Sequence, residues 1–201
     1  MERSAAPRWR WGEPVAPLRA LLARGGILAI PTESSYGLAV DPRSAAGVEA
    51  VYRLKERERG KPLPVVAADA AQIAALGVDV GTEASRRALE LWPAALTVAL
   101  PLRAGLPAAA GGDTLAVRIP DHPPLRALLA ELGTALTATS ANRSGEPPEL
   151  TSGGVAALLF GADAAVVDGG RLPGGPPSTL AAWEGGTWRV LRQGRFPLAP
   201  P

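Results

Sequence analysis

The chain has 201 residues, a formal charge of +2, and 47% hydrophobic against 20% charged residues. That balance excludes a disordered polyelectrolyte and is enough for one packed domain. With no cysteine and a single histidine, His122, disulfides, thiolate-bound zinc, a cysteine nucleophile and a histidine-rich metal centre are excluded, and a serine–histidine–carboxylate triad is disfavoured.

In chain order, residues 1–14 read as a loosely ordered lead to one domain spanning 1–201. Pro17 to Arg24 reads as a short helix ending at Gly25-Gly26. Ile27 to Ile30 is an apolar run of strand length, followed by a loop from Thr32 to Leu38. Ser44 is placed to cap a helix to about Lys55, with Val48, Val51, Tyr52 and Lys55 on one face. Leu63 to Ala67 reads as a strand, and helices follow over Asp69 to Leu76 and Thr82 to Leu91. Ala95 to Leu100 and Leu115 to Ile119 read as strands, and Asp121 as the cap of a helix through Leu132. Ala135 to Thr139 reads as a strand, and Thr151 to Phe160 as a helix. Ala164 to Val167, Ser178 to Ala182 and Thr187 to Leu191 complete the strands, with Gly169 to Pro177 as a loop. Helices alternating with strands, some of them adjacent, imply an α/β fold with a mixed parallel and antiparallel sheet. No apolar run approaches the roughly 18 residues of a membrane helix, and Met1 to Pro17 has no apolar signal core. A soluble, cytoplasmic protein with no membrane partner is expected.

The composition is drained toward Ala, Gly, Pro, Leu and Arg, yet the single Asn and both Lys residues fall in two polar islands. One is Lys55-Glu56-Arg57-Glu58-Arg59-Gly60-Lys61; the other is Thr139-Ser140-Ala141-Asn142-Arg143-Ser144-Gly145. Cations in one and hydroxyl and amide groups in the other suit a polyphosphate. Each piece also has a plainer reading. The Lys55, Arg57, Arg59 run is either a phosphate clamp or a solvated surface. Ser140 and Asn142 form either a cradle at a strand end or a local Asx turn. Pro31 to Leu38 is either a binding loop at a strand end or a hydroxyl-rich turn. Arg118, in an otherwise apolar strand, must bind a carboxylate ligand or a structural partner. Arg192 ends the last strand as a further cation, and His122 reads as a helix-start residue rather than a base.

Taken together, PTESSYGL (31–38), KER with GKPL (55–63), WPAALT (92–97), VRIPDHP (117–123), TSANRSG (139–145), ST (178–179) and LRQG (191–194) resemble the YrdC-type threonylcarbamoyl-AMP synthases, in the order that family carries them. The resemblance implies a twisted open mixed sheet with flanking helices around a concave basic cavity. It implies synthesis of threonylcarbamoyl-AMP and pyrophosphate from L-threonine, bicarbonate and ATP with Mg²⁺, for modification of tRNA. Lys55 and Arg57 are implied as catalytic. Lys55, Arg57, Arg59, Ser140, Asn142 and Arg192 are implied at the nucleotide, and Thr32, Arg118, Ser140 and Ser178 at threonine. Downstream transferase proteins of tRNA modification are implied partners, with contact to tRNA or double-stranded RNA a further expectation. The chain departs from the family in carrying Ser34 for the usual threonine and Pro93-Ala94-Ala95 for Pro-Gly-Pro. It matches the single-domain form. The rivals are a carbamoyl-transfer enzyme of the same fold and a non-catalytic RNA-binding module, against which the 4% aromatic content speaks.

Overall fold

The computed structural model describes residues 6–198. In chain order the elements are β1 (Arg8–Trp9), α1 (Ala16–Ala23), β2 (Ile27–Pro31), β3 (Tyr36–Ala39), α2 (Ala45–Lys55), β4 (Val65–Val66), α3 (Ala70–Ala75), α4 (Glu83–Leu91) and β5 (Leu96–Pro101). They continue with β6 (Thr114–Arg118), α5 (Pro123–Leu132), β7 (Leu136–Thr137), β8 (Thr139–Ser140), α6 (Ser152–Leu158), β9 (Ala164–Val167), β10 (Thr179–Glu184) and β11 (Thr187–Arg192). The helix starts follow from side chains that satisfy free amide groups. Ser44, Asp69, Thr82 and Thr151 each accept a backbone N–H from the first turn of their helix.

The strands form two mixed sheets rather than one. The first runs β1-β9-β2-β3-β8, the second β11-β10-β5-β6-β4-β7. In the first, β2 pairs parallel with β9 and antiparallel with β3; in the second, β5 pairs parallel with β10 and antiparallel with β6. β2 is buried on both faces, which is why its sequence is an unbroken apolar run. Leu28 and Ile30 pack in the apolar cluster with α1 and α5, while Ile27 and Ala29 face the larger core on the other side.

The structure revises four expectations. Of Thr32 to Leu38 only Thr32 to Ser35 is a connection; Tyr36 to Leu38 belong to β3, paired with β2 in a hairpin, where Tyr36, Leu38 and Ala39 are fully buried and burial outweighs the low strand propensity of Gly37. Residues 6–14, expected as a loose lead, contribute edge strand β1, with Trp9 buried and its Nε1 donating to the Pro14 carbonyl. A two-residue strand carries no periodicity to read. The expected strand over Ala135 to Thr139 breaks at Ala138. Before it, β7 pairs with β4 of the second sheet, and after it β8 pairs with β3 of the first. His122, not Asp121, caps α5, its Nδ1 accepting the Leu125 N–H at 3.1 Å.

At this seam the Thr137 side chain, fully buried, accepts the Val40 N–H at 3.0 Å. Residues of both sheets line one cavity, which holds parts of the motifs 31–38, 55–63, 92–97, 117–123, 139–145, 178–179 and 191–194.

Candidate functional site in the cleft between the two sheets

The cleft is a cavity of about 410 Å³ whose wall carries Arg57, Arg118, Arg192 and Arg195 but one carboxylate, Glu33. The first sheet contributes the β2–β3 turn and Ser140; the second contributes the ends of β6, β10 and β11. Thr32, Thr97, Ser140 and Ser178 place hydroxyl-bearing side chains in the same wall. A concave surface with excess cations and several hydroxyls attracts a small polyanion.

Arg118 ends β6 with 9% of its surface exposed. Its Nη1 donates to both oxygens of Glu33, at 2.7 and 2.6 Å, and the Asp121 N–H donates to the same carboxylate at 3.0 Å. Burial opposes ionisation of Glu33, but the Arg118 charge and these hydrogen bonds outweigh it, holding the carboxyl below its ordinary value. Thus the partner that an arginine in an apolar strand requires is Glu33. Arg192 lies close enough for Arg118 to affect it: burial first, and then the Arg118 charge, lower its pKa. Its Nη2 donates to the Ser178 carbonyl at 2.9 Å, while the Ser178 and Thr97 hydroxyls are 2.8 Å apart. Thr32, 7% exposed, donates its hydroxyl to the Ser35 carbonyl at 2.8 Å within the β2–β3 turn.

The two polar islands are docked on one another. Lys55, 2% exposed at the end of α2, donates to the Ser140 carbonyl at 2.5 Å, the Asn142 carbonyl at 2.9 Å and Asn142 Oδ1 at 2.7 Å. Ser140 donates its hydroxyl to Asn142 Oδ1 at 2.6 Å, and Asn142 Nδ2 donates to the Glu146 carbonyl at 2.5 Å. The Ser144 N–H closes the dock on the Lys55 carbonyl at 2.8 Å, and Arg143 pairs with Glu56. Burial, and secondarily the Arg57 charge, lower the Lys55 pKa to about 8. The three oxygens around the ammonium still suit its protonated form at neutral pH.

The structure places the expected nucleotide residues differently with respect to the cleft. Lys55 and Asn142, expected at the nucleotide, stand behind the cavity wall: Ser140 lines the cleft, whereas the Lys55 ammonium uses its three N–H groups on the loop. Arg59 is not brought in at all. It is exposed and paired with Glu49 on α2, its Nε 3.0 Å from Oε2. Lys55 and Arg57 are separated by the end of α2, where Glu56 turns into the left-handed region at φ 52°. Arg57, by contrast, lines the cleft. Its Nη2 donates to the Pro62 carbonyl at 3.2 Å, and its buried Nε has no partner among the described residues.

Glu33 and Arg195 were not singled out from sequence. Arg118 in an apolar strand did signal a buried acid somewhere, and Glu33 lies in the PTESSYGL motif. Nothing local marked Arg195. Among the described residues, no group of three or more His, Cys, Asp or Glu side chains is arranged to hold a metal ion, and no helix is long and apolar enough to cross a membrane.

Residues 20–194 match the Sua5/YciO/YrdC family model, whose description reads "Telomere recombination". The chain is similar to the threonylcarbamoyl-AMP synthase of Thiobacillus denitrificans, with 38% identity over 177 residues that make up 87% of this chain and 93% of that protein. It is similar to the threonylcarbamoyl-AMP synthase of Bacillus subtilis at 36% identity, covering 90% of this chain and 53% of the relative, so it spans about half of that protein's length. The crystal structure of P. abyssi Sua5 complexed with L-threonine resembles it with a TM-score of 0.82 at 27% identity, over 95% of this chain and 58% of that one. With a family model matched over most of its length and relatives at this identity, the chain belongs to the Sua5/YciO/YrdC family.

Proposed function

We propose that the chain is an L-threonylcarbamoyladenylate synthase, joining L-threonine, bicarbonate and ATP into threonylcarbamoyl-AMP with release of pyrophosphate, for use in tRNA modification. The observation that carries this reading is the single cleft in which four arginines and several hydroxyls face one internally paired carboxylate. The relatives bearing that activity's name support it.

Both hydrogen bonds from Arg118 to Glu33 use Nη1. The Nε–Nη2 edge of the guanidinium is the proposed seat of the threonine carboxylate, with Thr32 and Ser178 flanking the amino acid. Bicarbonate takes up a proton and loses water to give CO2, and the proton that the amine releases in the next step balances it. The neutral threonine amine adds to the CO2 carbon and loses a proton, giving a carbamate. A carbamate oxygen then attacks the α-phosphorus of ATP as the bond to the β-phosphate oxygen breaks, and pyrophosphate leaves. Arg57 and Arg192 face the phosphates and stabilise the charge that gathers on them, while Ser140 orients the nucleotide. Lys55 and Asn142 act one step back, holding Ser140 in place. Mg²⁺ enters as part of the MgATP substrate. Glu33 is engaged by Arg118, so the phosphates and water are the oxygen donors best suited to that ion.

The test is pyrophosphate release from ATP by the purified protein, with threonine and bicarbonate omitted in turn. Release that needs both is the expected result; release that needs neither, or none under any condition, refutes the reading.

A further inference from the structure

After β11 the backbone stays on the fold. The Gly194 N–H donates to Thr179 Oγ1 at 3.0 Å, the Arg195 N–H to the Pro177 carbonyl at 2.9 Å, and Thr179 Oγ1 to the Phe196 carbonyl at 2.7 Å. At Gly194 a Cβ would lie 2.3 Å from the Pro177 carbonyl oxygen, so the close approach requires glycine. This docking returns the Arg195 side chain to the cavity wall. There Nη1 donates to the Glu33 carbonyl at 2.9 Å and Nη2 to the Gly174 carbonyl at 3.2 Å. The Gly174 N–H in turn donates to the Ser34 carbonyl at 2.9 Å.

One guanidinium therefore joins three segments distant in sequence: the β2–β3 turn, the Gly/Pro loop before Ser178, and the tail after β11. Two of the three are weakly determined on their own. The loop carries left-handed glycines at 174 and 175, with φ of 75° and 93°, and the turn is a four-residue connection. Glu33 is the residue gripped from both ends. Arg195 holds its carbonyl, and Arg118 with the Asp121 amide holds its carboxylate. A planar fork carries two N–H groups at a fixed separation and so spans the Glu33 and Gly174 carbonyls, a geometry that a compact ammonium on a shorter stem does not reproduce.

We propose that Arg195 is a positioning residue of the amino-acid pocket: by fixing the Glu33 backbone it fixes the Glu33 carboxylate, and through it the orientation of the Arg118 guanidinium. This rests on the reading of the cleft as a threonine site. Arg195 touches neither the reacting carbamate nor the α-phosphorus in this assignment.

Arg195→Gln, Arg195→Lys, Glu33→Gln and the double variant Arg195→Gln/Glu33→Gln are assayed for threonine- and ATP-dependent pyrophosphate release. The expected result is a threonine KM raised roughly tenfold in Arg195→Gln, with the ATP KM within about twofold and a partial recovery in Arg195→Lys. If Arg195 acts through Glu33, the double variant shows no larger a threonine KM than Glu33→Gln alone. A threonine KM that does not move, a rise shared equally by threonine and ATP, or effects that multiply in the double variant would each overturn the proposal. A second measurement does not need turnover: amide hydrogen exchange of residues 32–36 and of Gly174 and Gly175 in wild type and Arg195→Gln. Faster exchange of both segments in the variant supports the three-way clamp, and unchanged exchange overturns it. Should the wild type fail to release pyrophosphate with threonine, the proposed function falls, while the exchange result still decides the clamp.

Discussion

Lys55 Nζ lies 2.7 Å from Asn142 Oδ1, an oxygen that also accepts the Ser140 hydroxyl at 2.6 Å. The lysine of one polar island is thereby the centre of the other. Three oxygens of the serine-asparagine loop converge on an ammonium at the end of α2, and the loop's shape depends on it.

Lys55→Ala is expected to abolish threonine-dependent pyrophosphate release, by more than about 100-fold, and also to lower stability by about 2–4 kcal/mol, since buried acceptors lose their donor. Loss of activity and a lower Tm should appear together, measured by turnover and by thermal unfolding. An unchanged Tm with activity gone would point to direct contact with the substrate instead.

Arg57 and Arg59 stand two apart but should behave oppositely. Arg57→Ala removes a cation that lines the cleft, and should lower kcat/KM for ATP by roughly 100-fold. Arg59→Ala removes one member of an exposed ion pair with Glu49, and should change turnover by less than about twofold and stability by less than about 1 kcal/mol. Steady-state kinetics of the two variants side by side check both.

The Glu33–Arg118 pair predicts a pH signature. Because the folded-state pKa of Glu33 is depressed, its stabilisation is present above the unfolded value of about 4.3 and is lost as pH falls through the folded value. Wild type should exceed Glu33→Gln by about 2–3 kcal/mol at neutral pH, with the gap closing below about pH 4. Denaturant unfolding at several pH values measures it; a gap that persists in acid would contradict the pairing.

Arg118→Lys keeps the charge but loses the fork that holds Glu33 and, in the proposed function, the threonine carboxylate. The threonine KM should rise by about 10- to 100-fold, with a smaller change for ATP. Calorimetric titration of threonine into wild type and variant gives an independent reading of the same loss.

Much of this was legible in the linear chain because it depends on neighbours in sequence. Ser44, Thr82 and Thr151 are caps by virtue of a hydroxyl three residues from the amide each receives. The buried face of α2, Lys55 included, follows from helical spacing. The apolar run Ile27 to Ile30 is a strand covered on both faces. The motif residues Thr32, Arg57, Arg118, Ser140, Ser178 and Arg192 do share one cleft.

What the linear chain could not show depends on tertiary contacts. Arg118 calls for a carboxylate, but that it is Glu33, 85 positions away, follows from how the β2–β3 turn meets the end of β6. The break at Ala138, which sends two halves of one apolar segment into different sheets, is set by the backbone partners that Thr137 and Thr139 find, not by their own propensity. Arg59 looks identical to Arg57 in spacing, yet Arg57 lines the cleft while Arg59 is held on the surface by Glu49 of α2. Local hydrogen bonds and apolar periodicity are written in adjacent residues. Which charged side chains end up facing one another is decided when the two sheets close, because burial then forces each charge to find its partner or reach the cavity.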